Sequence, residues 1–219
     1  MKEDVFLIGN KIITKRSYPY NEKENYVTPH SYTDWWREHL NFQVIHSTIS
    51  AMGNSVADFG CNHGVCSILM CEYGVEVTGF DRNREALKEA ERIKAECTEG
   101  VRDNLYFKHS EFDKKIDCED NYFTGAYMID AFEHLYPEDR GIFFSEVIRV
   151  MKNHGKFCVV VPYEHAYDNG DQHIDFFNES KLNDVFKDKF KVNSISRDQR
   201  VDAHGEKHNR INAIFEVVK

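Results

Sequence analysis

From residue 54 onward, short β-branched runs alternate with runs of helical period, and that alternation leaves few folds open. Ser55–Phe59 reads as a strand ending at Gly60, and residues 65–73 read as a helix stopped by Gly74. Residues 75–80 form a second strand candidate. Asn83 can cap a helix over residues 84–97, where Ala86, Leu87, Ala90, Ile93 and Cys97 share one face. Leu105–His109 and residues 122–129 read as third and fourth strands. Pro137 suits the first turn of a helix that carries Phe143, Val147, Ile148 and Met151 inward and ends before Gly155. The run FCVVV at 157–161 is continuously apolar, as in a strand covered on both faces. Asn178 opens a short helix with Leu182, Val185 and Phe186, and residues 190–196 and 211–218 are two late strands. The polar stretch 198–210 between them is expected as a long exposed loop.

This pattern predicts an α/β fold with a doubly wound, mostly parallel seven-stranded sheet. The last two strands lack an intervening helix and should pair antiparallel. Residues 1–53 lie outside the alternation. They hold both tryptophans and four of the 11 tyrosines. The segment is expected to be helical and to act as a lid over a pocket, with Tyr32, Trp36 and Arg37 facing substrate. The core is expected over residues 54–219, in a single domain overall.

The net charge of −9, from 37 acids against 28 bases, disfavours a nucleic-acid partner, and no basic stripe overrides it. No apolar run approaches the roughly 20 residues of a membrane span, and the start shows no cleavage site. Six cysteines include no C-x-x-C pair, so reduced thiols and a cytoplasmic location are expected.

The turn Asp58-Phe59-Gly60-Cys61-Asn62-His63-Gly64 joins the first strand to the first helix, where open parallel sheets bind ligands. Gly60 and Gly64 allow close backbone approach, and Asn62 tolerates a left-handed conformation. A dinucleotide site would need G-x-G-x-x-G, and an acid at 58 would repel pyrophosphate. An acid suits a cationic or zwitterionic ligand better. Asp81, at the end of the second strand, can accept both hydroxyls of a ribose.

These residues resemble a known family. DFGCNHG is similar to the D-x-G-C-G-x-G motif of class I S-adenosylmethionine-dependent methyltransferases, with Asn62 in place of the middle glycine. GFDRN, HSEFD, MIDAFEHL and VMKNHGKFCVVVP resemble later motifs of the same family, in order, over roughly residues 54–177. The resemblance implies S-adenosylmethionine as cofactor and S-adenosylhomocysteine as product. It places Asp58, Gly60, Cys61, Asn62 and Gly64 around the methionine end, and Asp81 with Arg82 at the ribose. Glu111 and the backbone of Phe112 would meet the adenine, and Asp130 would lie near the transferred methyl group.

The expected acceptor is a small polar molecule methylated on a hydroxyl of a sugar or other metabolite. A hydroxyl acceptor benefits from a general base near neutral pKa, and His134, His165 and His173 form the pool. Tyr163 begins the polar stretch 163–173 after the fifth strand and is a substrate-side candidate. Asp168 and Asp171 with a histidine match no familiar metal-binding loop, so no metal is assigned. The alternatives are a methyltransferase acting on tRNA or protein, and a cofactor-binding module without catalysis. The sequence leaves the oligomeric state open.

Overall fold

The computed structural model describes residues 5–8, 11–14, 40–163, 174–201 and 207–219. Nine strands are described: β1 Val5–Ile8, β2 Lys11–Thr14, β3 Ser55–Phe59, β4 Glu76–Asp81, β5 Leu105–His109, β6 Phe123–Ile129, β7 Met151–Pro162, β8 Lys191–Val201 and β9 Lys207–Glu216. Six α-helices accompany them: α1 Leu40–Thr48, α2 Val65–Glu72, α3 Arg84–Ala95, α4 Glu99–Asn104, α5 Arg140–Val150 and α6 Glu179–Phe186. Seven strands form one sheet in the order β5-β4-β3-β6-β7-β9-β8. The first five run parallel, and β9 and β8 close it antiparallel, as the alternation predicts.

Each face of the sheet carries its own core. On one face, α1, the turn after it and α2 pack Val44, Ile45, Ile49 and Met70 against Val56, Val77, Tyr127, Cys158 and Val160. On the other, α5 and α6 bury a phenylalanine cluster in which Phe59, Phe143, Phe157, Phe186 and Phe215 are fully enclosed. The Phe186 and Phe215 rings stack with centroids 4.2 Å apart. Residues 157–161 are buried on both faces, which is why they read as an unbroken apolar run.

Local signals account for the helix starts. Asn83 Oδ1 accepts from the amides of Glu85 at 3.0 Å and Ala86 at 3.2 Å, and Asn178 Oδ1 accepts from Lys181 N at 2.9 Å. Gly74, just past α2, has φ 81°.

Four expectations are corrected. The N-terminal segment is not helical throughout, because β1 and β2 pair as an antiparallel hairpin. Pro137 lies three residues before α5 rather than in its first turn, and Met151 starts β7 instead of ending the helix. Gly155 therefore lies inside β7, beside an irregularity in its pairing with β6. The expected loop at 198–210 is largely strand: β8 reaches Val201 and β9 begins at Lys207, because hairpin pairing continues beyond the core where polar side chains face water.

The connection from β5 to β6, residues 110–122, contains no helix. The sheet face over β4 and β5 is left as a groove of about 810 Å³, with Thr78, Phe80, Tyr106 and Tyr122 among its walls.

Candidate functional site

The turn after β3 is tied to the neighbouring strand. The amides of Gly60 and Cys61 both donate to the Phe80 carbonyl, at 2.8 and 3.0 Å. Gly60 has φ 80° and Gly64 φ 77°, conformations that side chains disfavour. Packing makes the same demand. A Cβ on Gly60 would lie 2.4 Å from Ala131 Cβ, and one on Gly64 would lie 2.3 Å from the Phe107 ring. Three non-glycine residues beside strand ends are also left-handed: Asn62 at 49°, Phe112 at 61° and Asp130 at 51°. Such conformations concentrate where a site over-determines the backbone.

Four carboxylates converge here. Asp58, at 2% exposure, accepts from the Ser67 hydroxyl at 2.6 Å. Burial raises its pKa to about 7, with a further upward push from Asp81, while the Ser67 bond opposes them. Asp81 accepts through Oδ2 from the amide of Asn62 and through Oδ1 from that of Asn83, each at 2.8 Å. Each of its oxygens keeps a lone pair for a ligand. Asp130 is paired with buried Arg210 on β9, and Asn41 Nδ2 approaches its other oxygen at 3.5 Å. Glu133, at 1% exposure, has no partner for either carboxylate oxygen among the described residues. Burial and then Asp130 push its carboxyl well up.

Two cavities meet at this place. One, about 260 Å³, is lined by Asp81, Arg82, Glu111, Phe112 and Asp130, with His134 and Tyr136 on another wall. The second, about 170 Å³, is lined by Asn41, Asp58, Cys61, His63, Cys66 and Asp130. They share Gly60, Asn62 and Asp130. Acceptor oxygens dominate both walls, and among the described residues that line them the basic side chains are Arg82, His63 and His134. That chemistry fits a ligand with hydroxyls and positive charge, and it does not fit a pyrophosphate.

Residues 56–155 match the family model described as a methyltransferase domain. Over these residues the chain is similar to methyltransferase domains. Solved structures of the same fold include S-adenosylmethionine-dependent methyltransferases. The chain shares its fold with an S-adenosylmethionine-dependent methyltransferase from Methanosarcina mazei (21% identity, TM-score 0.64, covering 80% of this chain and 97% of the other). A similar match is a methyltransferase of the same dependence from Aquifex aeolicus (18%, 0.62, covering 81% and 90%). A protein from Pyrococcus horikoshii aligns at 18% identity and TM-score 0.65, over 85% and 91% of the two chains. No curated protein sequence matches the chain.

The structure brings Asp58, Gly60, Cys61, Asn62, Asp81, Arg82, Glu111, Phe112 and Asp130 onto the walls of the two cavities. Gly64 instead sits behind the turn against Phe107. Glu111 also lies 3.2 Å from His109 Nε2. Burial pushes the Cys61 and Cys66 thiols well above their ordinary range, so neither is a thiolate at neutral pH. His134 lines the larger cavity. The Tyr163 ring lies under the Arg197 guanidinium, 3.6 Å from centroid to carbon, and Arg197 pairs with Glu179. Tyr32, Trp36, Arg37, His165 and His173 lie outside the described residues. Among the described residues no cluster able to hold a metal is found, and no helix is long and apolar enough to cross a membrane.

Sequence reasoning missed Asn41, Ser67, Glu133 and Arg210. Ser67 stands one turn into α2, facing back to the end of β3, so the helix register could have found it. Arg210 was hidden by reading its strand as loop.

Proposed function

We propose that this protein is an S-adenosylmethionine-dependent methyltransferase that methylates a hydroxyl of a small polar molecule such as a sugar or related metabolite. The observation that carries the reading is the pair of joined cavities, which share Asp130 and differ in size and lining. The larger would take the adenosine, with Asp81 accepting the ribose hydroxyls and Glu111 beside the backbone of Phe112 at the adenine. The smaller would take the methionine end, with Asp58 and the turn residues around it.

The cofactor supplies an activated methyl group when bound. The protein's own task is then alignment of the acceptor and exclusion of water, which carry much of the acceleration in such a transfer. A hydroxyl acceptor also gives up a proton, and a histidine from the set His134, His165 and His173 would receive it. The chain before residue 54 would cover the pocket, and α1 supports this by placing Asn41 on the wall of the smaller cavity. The net charge of −9 favours a small acceptor over tRNA.

Mass spectrometry of small molecules retained by the purified protein tests the reading. Demethylated cofactor together with a polyhydroxylated compound is the expected result. Transfer of labelled methyl only to amines, tRNA or protein across an acceptor panel would overturn the hydroxyl assignment.

A further inference from the structure

His109 closes β5, and the parallel register sets it beside Asp81 at the end of β4. Its ring lies between two charged side chains from different elements. On one side Arg84, the first residue of α3, brings Nη2 to 3.1 Å from His109 Nδ1. On the other, His109 Nε2 lies 3.2 Å from Glu111 Oε1. The three residues form a short polar chain from the start of α3 to the wall of the larger cavity, which Glu111 lines. A cation at a helix start is opposed by the helix dipole, so helix stability does not account for an arginine at position 84.

The first contact decides the state of the ring. A guanidinium can only donate, so Nδ1 must receive the bond with its lone pair. The proton of the neutral imidazole then sits on Nε2, the nitrogen that meets the carboxylate. The other tautomer would turn a lone pair toward Glu111 and an N–H toward Arg84, and both contacts would repel. The contact with His109 uses one of the roughly four lone-pair positions of the Glu111 carboxylate, so acceptor capacity remains for a ligand. Glu111 is 43% exposed along its side chain, and an untethered glutamate there would sample several rotamers. Ordering it before a ligand arrives removes that cost from binding.

We propose that His109, locked by Arg84 in its Nε2–H form, is a positioning residue that holds Glu111 as an acceptor on the cavity wall and thereby sets selectivity for an amino-substituted base. This rests on the reading of the larger cavity given above, in which Glu111 meets the adenine. Neither Arg84 nor His109 is among the residues lining that cavity, so both act through Glu111.

The test uses the full chain and two ligands, S-adenosylhomocysteine and S-inosylhomocysteine, which presents a carbonyl where adenine presents its amine. Calorimetry gives the ratio of the two affinities, and denaturant unfolding confirms that each variant is folded. Wild type should prefer the amine about 10- to 100-fold, the scale of a hydrogen bond to a charged group. His109→Leu should lower that ratio about three- to tenfold, the ordering cost of one side chain, with the inosine ligand changed by less than about twofold. His109→Gln carries an acceptor and a donor on one planar group and should restore most of the ratio. Arg84→Met removes an exposed side chain, should lower the ratio in the same direction, and serves if the leucine variant does not fold. Equal weakening of both ligands in His109→Leu would make His109 purely structural and overturn the inference, and so would an unchanged ratio. Glu111→Gln tests the reading beneath it and should bring the ratio close to unity. A preference for the amine that survives Glu111→Gln would instead remove the adenine assignment on which the inference stands.

Discussion

The Ser67 hydroxyl donates to Asp58 Oδ2 at 2.6 Å, with both side chains buried beneath the glycine turn. This bond is the one stabilising contact that opposes the burial of the Asp58 charge, whose pKa lies at about 7 against an ordinary 3.8. Between those two pH values the folded state holds a proton that the unfolded chain has released. The stability Asp58 contributes is therefore fully present below the ordinary carboxylate pKa and is lost as pH rises through about 7.

A positively charged ligand beside Asp58 favours its ionised form and must drive off that proton below pH 7. Cofactor affinity should accordingly rise severalfold between pH 6 and 7.5. Asp58→Asn should flatten this dependence, and Ser67→Ala should move its midpoint to higher pH, since the donor that lowers the pKa is gone. Calorimetric titrations at a series of pH values check this. A profile in Asp58→Asn identical to wild type would assign the proton to another group.

Gly60→Ala should destabilise the fold by about 2–4 kcal/mol, combining a positive φ with a Cβ driven into Ala131. Ala131→Gly in the same chain should recover the steric part and leave the backbone part. Urea unfolding of the two single variants and the double variant separates these contributions.

Asp81→Ala should weaken cofactor binding by about 1.5–3 kcal/mol. It also removes the acceptor for the amides of Asn62 and Asn83, so some stability will be lost with it. Asp81→Asn keeps one acceptor oxygen and should lose less of both. An unchanged dissociation constant in the alanine variant would place the ribose elsewhere.

Removing one member of the Asp130–Arg210 pair leaves a charge without its partner in a largely buried setting. Arg210→Met should cost about 3–5 kcal/mol, and the double variant with Asp130→Asn should recover a substantial part. If both single variants unfold at wild-type denaturant concentrations, the pair is structurally neutral.

With a hydroxyl acceptor, alanine at one of His134, His165 and His173 should lower turnover about 10²–10⁴-fold with modest change in cofactor affinity. Three near-wild-type rates would leave the proton to a different acceptor group.

The parallel core was legible because its strands are covered by helices, so composition and period both change at each boundary. The turn was legible too: Asn62 at φ 49° takes the left-handed conformation that its side chain tolerates. Helix α4 was not, because its six residues EGVRDN bury only Val101 and show no periodic face. The β8–β9 hairpin was misread for a related reason, since its outer half has no apolar alternation to mark it. Arg210 and Asn41 were beyond reach of sequence patterns. Each reaches the site through a contact with Asp130, 80 and 89 residues away in the chain.

The helix-free connection between β5 and β6 has a kinetic consequence. Among the described residues β5 is paired on one side only, by β4, and its Tyr106 is 45% exposed on the wall of the open groove. Its backbone hydrogen bonds are thus guarded from water on fewer sides than those of β6 or β7. Local opening should begin there, and the β5 amides should exchange with deuterium well before those of the central strands. Glu111 and Phe112, which line the larger cavity and are proposed above to meet the adenine, follow closely on β5, so that part of the pocket is attached to an edge of the sheet. Ligand binding should therefore slow exchange at residues 105–109 more than anywhere in the already rigid centre, and the sheet edge would serve as the most sensitive reporter of an occupied site.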